Sequence, residues 1–348
     1  MQSSVRHMRV NRIRAATIVL LLVCAGCVGK PENEVVIYSA ADREYAKPIL
    51  AGFQGKHDNV EVRPVFDVES TKTIGLVSKL EAEADRTRCD VFWNNEIMHT
   101  LRLEEEGLLQ PIRWAISSTW PEEMRAADGS WLGIAARARI LIVNRELMPN
   151  QEEWPNSVND LIAEKWKGKC AVASPLFGTT ATHFALLDTT LGKEKAAEYF
   201  TKIKENAVVF AGNKQVAQAV SSGQCLFGLT DTDDALIEID SGLPVEIVFP
   251  DQGVGQSGAI RIPNTVAVMK NAPHPKSATL LANYLVSEDI EGRLAMGASG
   301  QFPIRPGHKQ MSRALKGRQP RWMKADFKAA AQRWPSLAKE LRALFRGN

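Results

Sequence analysis

Apolar residues recur along this chain with two alternating periods, and the order of those periods sets the expected architecture. Positions 34–40 (EVVIYSA) form a β-branched run closing on small residues, and 43–54 carry apolar positions at helical spacing, which predicts a strand and then a helix. Positions 60–66 alternate as a second strand, and 71–84 return to helical spacing through Ile74, Val77, Leu80 and Ala84. The short run 90–93 (DVFW) reads as a buried strand ending in the polar residues Asn94, Asn95 and Glu96, after which Met98, Leu101 and Leu108 continue as helix. This alternation, with polar residues at strand ends, predicts an α/β protein with a mainly parallel sheet and a ligand beyond the carboxyl ends of the strands.

The run 131–144 (WLGIAARARILIVN) is long for one strand and carries Arg137 and Arg139 in its middle. A strand of that length can pass from one lobe into another, and the two arginines could contact a ligand or, the reading favoured here, pair with surface acids. Beyond it the pattern predicts a helix over 158–166, a strand over 170–173, helices over 179–191 and 193–206, and a strand over 208–210. A helix over 216–222, strands over 225–229, 245–249 and 264–269, and a helix over 274–286 follow. The length of 348 residues fits two lobes, and no repeat or long linker separates them.

Composition is globular, with 45% hydrophobic and 24% charged residues, which excludes a disordered or multi-span membrane chain. The net charge of +3 divides unevenly. Residues 1–26 hold four arginines and no acid, the tail 309–348 holds 11 Lys/Arg against 2 Asp/Glu, and the body 27–308 is left at −10. The basic start followed by the apolar run 15–24 reads as an export signal. It ends in Cys24-Ala25-Gly26-Cys27, which resembles a lipobox with Cys24 at the usual leucine position. Acylation at Cys27 would anchor the exported protein to the membrane in the periplasm; cleavage without acylation would leave it soluble. Cys89, Cys170 and Cys225 lie far apart in apolar surroundings and read as buried small hydrophobes. The basic tail is expected to form helices packed on the acidic second lobe or a surface drawn to anionic lipid.

Three constellations could carry chemistry. Residues 175–183 (PLFGTTATH) follow a strand and open a helix, so Gly178, Thr179 and Thr180 offer backbone amides and hydroxyls to an anion, or simply cap the helix. Gly212-Asn213 repeats the arrangement, and Asn213 could donate to the same anion. Asp231, Asp233 and Asp234 end an apolar strand; packed closely they require a metal, an ammonium or a basic side chain, unless they form a solvated turn. The Asp231-x-Asp233 string also suits a haloacid-dehalogenase-like phosphotransfer enzyme, although its place far from the first strand argues against that. No GxSxG, HExxH, Walker or dinucleotide fingerprint is present.

The segments VVIYSAAD, DVFWNNE, WLGIAARARILIVN, WKGKCAVASPLFGTTATHFA, GNKQVAQAVSSGQ and NAPHPKSATLLANYLVSEDIEGRLAMG resemble, in that order, solute-binding proteins of ABC importers. The nearest branch is the ferric-iron-binding one, which also contains binders of phosphonates and phosphorylated sugars. The resemblance implies a two-lobed, type II periplasmic-binding-protein fold with a crossing-strand hinge. Its lobes would be 34–136 with 250–308, and 137–249, followed by the tail 309–348. It implies a non-enzymatic monomer that passes its ligand to a permease and its ATPase, with no cofactor and no nucleic acid. The cargo would be ferric iron with a synergistic anion, or an anionic or phosphorylated small solute. The family's anion site falls on Gly178, Thr179, Thr180 and Asn213, beside Ser39 and Ala40. Its tyrosine pair falls on Asp233 and Asp234, its histidine on Asp42 and its glutamate on Asn95, so Asp42, Asn95, Asp231, Asp233 and Asp234 would line the other side. Asp42, Asp233 and Asp234 are the implied metal ligands, and no tyrosine falls on a ligand position.

Overall fold

The sequence pattern builds two lobes whose sheets share one strand. The computed structural model describes residues 33–67, 73–116 and 120–346; the predicted leader 1–26 and Cys27 lie outside them. The first sheet begins with β1 (Glu34–Ser39), followed by α1 (Arg43–Lys56), β2 (Glu61–Phe66), α2 (Ile74–Ala82), β3 (Val91–Asn94), α3 (Met98–Glu105) and the two-residue β4 (Leu109–Gln110). The long β5 (Trp131–Asn144) then leads to β6 (Cys170–Ala173), α4 (Gly178–Leu191), α5 (Lys193–Asn206), β7 (Val208–Phe210), α6 (Asn213–Ser221), β8 (Phe227–Asp231), α7 (Thr232–Asp240) and β9 (Val245–Val248). The chain returns through β10 (Arg261–Met269) to α8 (Pro275–Leu285), α9 (Glu288–Met296) and the terminal α10 (Phe327–Leu344).

The strands follow the order β2-β1-β3-β10-β5-β8-β6-β7, with β4 beside β10 and β9 beside β5. The parallel order expected from the alternating pattern holds for β2-β1-β3 and for β7-β6-β8. The linking strands β5 and β10 run antiparallel to their neighbours, so each sheet is mixed. Residues 131–138 of β5 pair with β10, whereas 139–144 pair with β8 or β9, so the strand crosses from one sheet to the other between Ala138 and Arg139. Every residue of β5 is buried.

The crossing is bent by a bulge. Pro263 opposes Ala136 and Asn264 opposes Ile134, which leaves Ala135 unpaired with φ of 31°. Its backbone is held by side chains instead: Glu291 Oε1 accepts from Ala135 N at 3.1 Å, and Asn264 Nδ2 donates to Ala135 O at 2.7 Å.

Two departures from the sequence reading are local. The predicted helix over 158–166 is a pair of 3-10 turns, Val158–Ile162 and Glu164–Trp166, because the Ser157–Asp160 capping box starts a turn that the extended Ala163 ends. The tail forms α10, which packs against both α4 and α3. Trp334 meets His99 of α3 with ring centroids 6.0 Å apart, while Arg333 pairs with Asp188 of α4 at 2.7 Å. The three cysteines are buried and unpaired.

Candidate functional site

Four helix starts converge where the parallel strands end. Asp42 precedes α1, Phe177 precedes α4, Gly212 precedes α6 and Asp231 precedes α7. Helix starts expose unpaired amides and favour negative charge, so acids gather here at reduced cost. Gly178 opens α4 with φ of +53°, a conformation that a side chain would strain.

Between these helix starts lies a cleft in two connected parts. The larger, about 190 Å³, is lined by Ala40, Asp42, Tyr45, Asp67, Asp233 and Asp234, among others. The smaller, about 20 Å³, adds Asn95, Gly178, Thr179, Thr180, Asn213 and Asp231. Both parts share Asp42, Asp233 and Asp234. Of the residues predicted from sequence, only Ser39 lines neither part; its hydroxyl donates to Ala41 O at 3.5 Å.

The two arginines of β5 are not at the surface, as the sequence reading expected, but under the cleft floor. Arg137 is 2% exposed and Arg139 is fully buried. They alternate with Ala138 along a bent strand and reach different carboxylates. Arg137 Nε donates to Asp233 Oδ2 at 2.5 Å and its Nη2 to Asp42 Oδ2 at 3.2 Å, while Nη1 donates to Asn95 O at 3.1 Å. A buried guanidinium is tolerable only when paired in this way. Burial opposes its charge, but Asp233, Asp42 and Asp231 outweigh burial and hold Arg137 above its ordinary pKa.

Arg139 organises the predicted anion pocket from inside. Its Nη1 donates to Asp231 Oδ1 at 2.8 Å and to Asn213 Oδ1 at 3.1 Å, and its Nη2 donates to Thr180 Oγ1 at 3.2 Å. Asp231 Oδ2 accepts from Asn213 Nδ2 at 3.0 Å and from the Thr179 hydroxyl. Two of the donors that the sequence reading offered to an external anion, the Thr179 hydroxyl and Asn213 Nδ2, are thus engaged by the chain's own Asp231. Arg139 Nε points to His183 Nδ1 at 3.4 Å; burial, and then Arg139, push His183 far below its ordinary pKa and keep it neutral.

The same contacts bear on phosphotransfer chemistry. A nucleophilic aspartate needs an oxygen free to attack, and both oxygens of Asp231 are held by Arg139, Thr179 and Asn213. The haloacid-dehalogenase-like alternative therefore has no support.

Asp231, Asp233 and Asp234 each offer a carboxylate oxygen within 4.8 Å of the others, a spacing that suits a cation. Asp233 is 3% exposed, and its Oδ1 is buried without a hydrogen-bond partner. Burial pushes its carboxyl above the ordinary value, with Asp231 and Asp42 adding to the rise and Arg137 opposing it. Asn95, at the position implied for a glutamate, is spent on structure: its Oδ1 accepts from Thr73 Oγ1 at 2.7 Å.

The neighbouring Glu96 is fully buried and ties the lobes together. Thr182 of α4 donates to its Oε2 at 2.7 Å, and His99 Nδ1 lies 2.7 Å from Oε1. Burial disfavours its charge, but His99, Thr182 and the backbone N–H of His99 hold its carboxyl below the ordinary value.

A sequence model of bacterial extracellular solute-binding proteins matches residues 95–330. The chain belongs to that family. Among its relatives, "Iron uptake protein A1" of Synechocystis is 26% identical over 79% of this chain and 77% of its own length. "Major ferric iron-binding protein" of Neisseria meningitidis is 22% identical over 78% of this chain and 81% of its own. The crystal structure of iron-bound HitA from Pseudomonas aeruginosa superposes with a TM-score of 0.78 at 23% identity, over 88% of this chain and 99% of that one. The family's two-lobed fold accounts for the shared β5, and its members' role is capture rather than catalysis.

Sequence reasoning missed Tyr45, Asp67 and Lys214 as cleft residues, and it preferred surface pairing for Arg137 and Arg139 over the place at the cleft that it also allowed them. A usable signal was present for the arginines: two charges inside an otherwise apolar strand demand buried partners. None marked Tyr45, which lies in the first turn of an ordinary amphipathic helix.

Proposed function

We propose that this protein is an exported, lipid-anchored monomer that captures ferric iron between its lobes and delivers it to the permease and ATPase of an ABC importer. The lobes in this reading are residues 34–136 with 250–308, and 137–249, and the anchor is Cys27. The observation that carries it is the buried Asp233 with an unpartnered oxygen, set within 4.8 Å of Asp231 and Asp234. Six carboxylates, Asp42, Glu44, Asp67, Asp231, Asp233 and Asp234, stand at the cleft against the four cations Arg43, Lys214, Arg137 and Arg139, which leaves it net negative. Ferric iron is a hard cation suited to anionic oxygen ligands, and the iron-related names of the relatives favour the same cargo.

An external synergistic anion is unnecessary in this reading, because Asp231 already engages Thr179 and Asn213. For the same reason a phosphonate or sugar phosphate is disfavoured: it would have to displace a buried carboxylate paired with Arg139.

Native mass spectrometry with metal analysis tests the cargo. One ferric ion per chain is expected, in buffers with or without phosphate and bicarbonate. Protons compete with the cation for Asp233, whose pKa is raised; affinity should therefore fall as pH falls, beginning above the ordinary Asp value of about 3.9. An organic phosphate bound with no metal would remove this reading.

A further inference from the structure

The chain has four tyrosines, and three of them are committed elsewhere. Tyr38 donates to Glu83, Tyr199 to Val158 O and Tyr284 to Ile49 O. Tyr45 alone has a buried hydroxyl with no hydrogen-bond partner among the described residues. It stands in the first turn of α1, on the wall of the larger part of the cleft, which it shares with Asp42, Asp67, Asp233 and Asp234.

An orphaned phenol beside an orphaned carboxylate oxygen is costly for both groups, since each has lost water and gained nothing. A cation between them answers both demands at once: it takes the spare oxygen of Asp233 and, after loss of a proton, the oxygen of Tyr45. A hydroxyl could also bridge the two, donating to Asp233 and accepting from Tyr45, but being neutral it would leave the net negative charge of the cleft unanswered. An ammonium would satisfy the carboxylate and, accepting no hydrogen bond, would leave the phenol proton without an acceptor.

We propose that Tyr45 supplies a phenolate ligand to the ferric ion, alongside Asp233 and Asp234; this rests on the cleft being a ferric-iron site. On binding, the Tyr45 O–H bond breaks, an oxygen–iron bond forms, and the proton leaves to solvent. Iron stays in its ferric state throughout.

Phenolate bound to ferric iron produces a visible charge-transfer absorption, which carboxylates alone do not. The test is a titration of the full chain with ferric nitrilotriacetate, followed by visible absorption and by native mass spectrometry on the same samples. The wild type should bind one ion and become coloured. Tyr45→Phe removes an oxygen that bonds nothing in the unloaded protein, so it should fold normally, bind iron roughly tenfold or more weakly, and stay colourless when loaded. Tyr38→Phe should keep the colour. Iron bound by the wild type without the band, or a band retained in Tyr45→Phe, overturns the Tyr45 assignment and leaves the ferric-iron reading standing. No iron bound by the wild type overturns both.

Discussion

At the scale of single residues, the site is governed by which buried charges have partners. Asp231 is the clearest case. It looks like a cleft ligand in the sequence, yet its two oxygens hold Arg139, Thr179 and Asn213 together. Removing one member of a buried pair leaves the other charged and desolvated, which costs about 3–5 kcal/mol. Asp231→Ala should therefore lower stability by that amount in urea unfolding, far beyond the effect of an exposed substitution. A loss under about 1 kcal/mol would mean that water or an ion replaces the carboxylate. Asp233 differs because one oxygen is left over, and that difference separates a floor residue from a ligand.

At the scale of elements, the decisive piece is the bulge in β5. Arg137 and Arg139 lie just past Ala135, whose positive φ turns the strand. The bulged amide is not in the ladder, so a buried side chain must accept from it. Glu291 does so through Oε1, which also accepts from Ile304 N at 2.8 Å. Glu291→Ala leaves two buried N–H groups unpaired, each worth about 1–3 kcal/mol. Glu291→Gln keeps an oxygen in the same place. Thermal unfolding should thus rank wild type above or close to Glu291→Gln and both well above Glu291→Ala. Equal melting temperatures for the two variants would show that the bulge does not depend on that oxygen. Close packing matters in the same region: a Cβ at Gly228 of β8 would meet Val216 of α6 at 2.6 Å, so α6 approaches the sheet only over glycine.

At the scale of the whole molecule, two contacts among those that join the lobes bear on their closure. One is α10, laid across α3 and α4 on the strength of Trp334 and Leu341, which are 4% and 1% exposed. The other is the bond from Thr182 to Glu96. Glu96 has further partners in its own region, including Met98 N at 2.7 Å, so losing Thr182 leaves it anchored. In a hinge-bending protein the balance between open and closed forms moves with the contacts unique to each. Thr182→Val should then give a larger radius of gyration by small-angle scattering before ferric loading and one close to wild type after it. An unchanged unloaded radius would show that the bond does not hold the lobes together.

Much of the architecture was legible in the sequence because hydrophobic period is a local property. The strand 170–173, the helix 193–206 and the strand 208–210 appear with the predicted bounds, and 131–144 is a single strand. The cluster at Asp231, Asp233 and Asp234 was legible too, since three acids ending an apolar strand already demand neutralising partners. Their partners were not. Arg137 and Arg139 are separated from these acids by about ninety residues of chain, and only the pairing of β5 with β8 brings Arg139 opposite Asp231. Nor does any local pattern tell that Tyr45 loses every hydrogen-bond partner while Tyr38 finds Glu83; that depends on which helix start faces which strand end. Sequence alone determined the elements, their order and the excess of negative charge in the body 27–308. Tertiary structure decided which charges cancel and which oxygens remain, because charge pairing is set by distances of a few ångströms that the one-dimensional pattern does not contain.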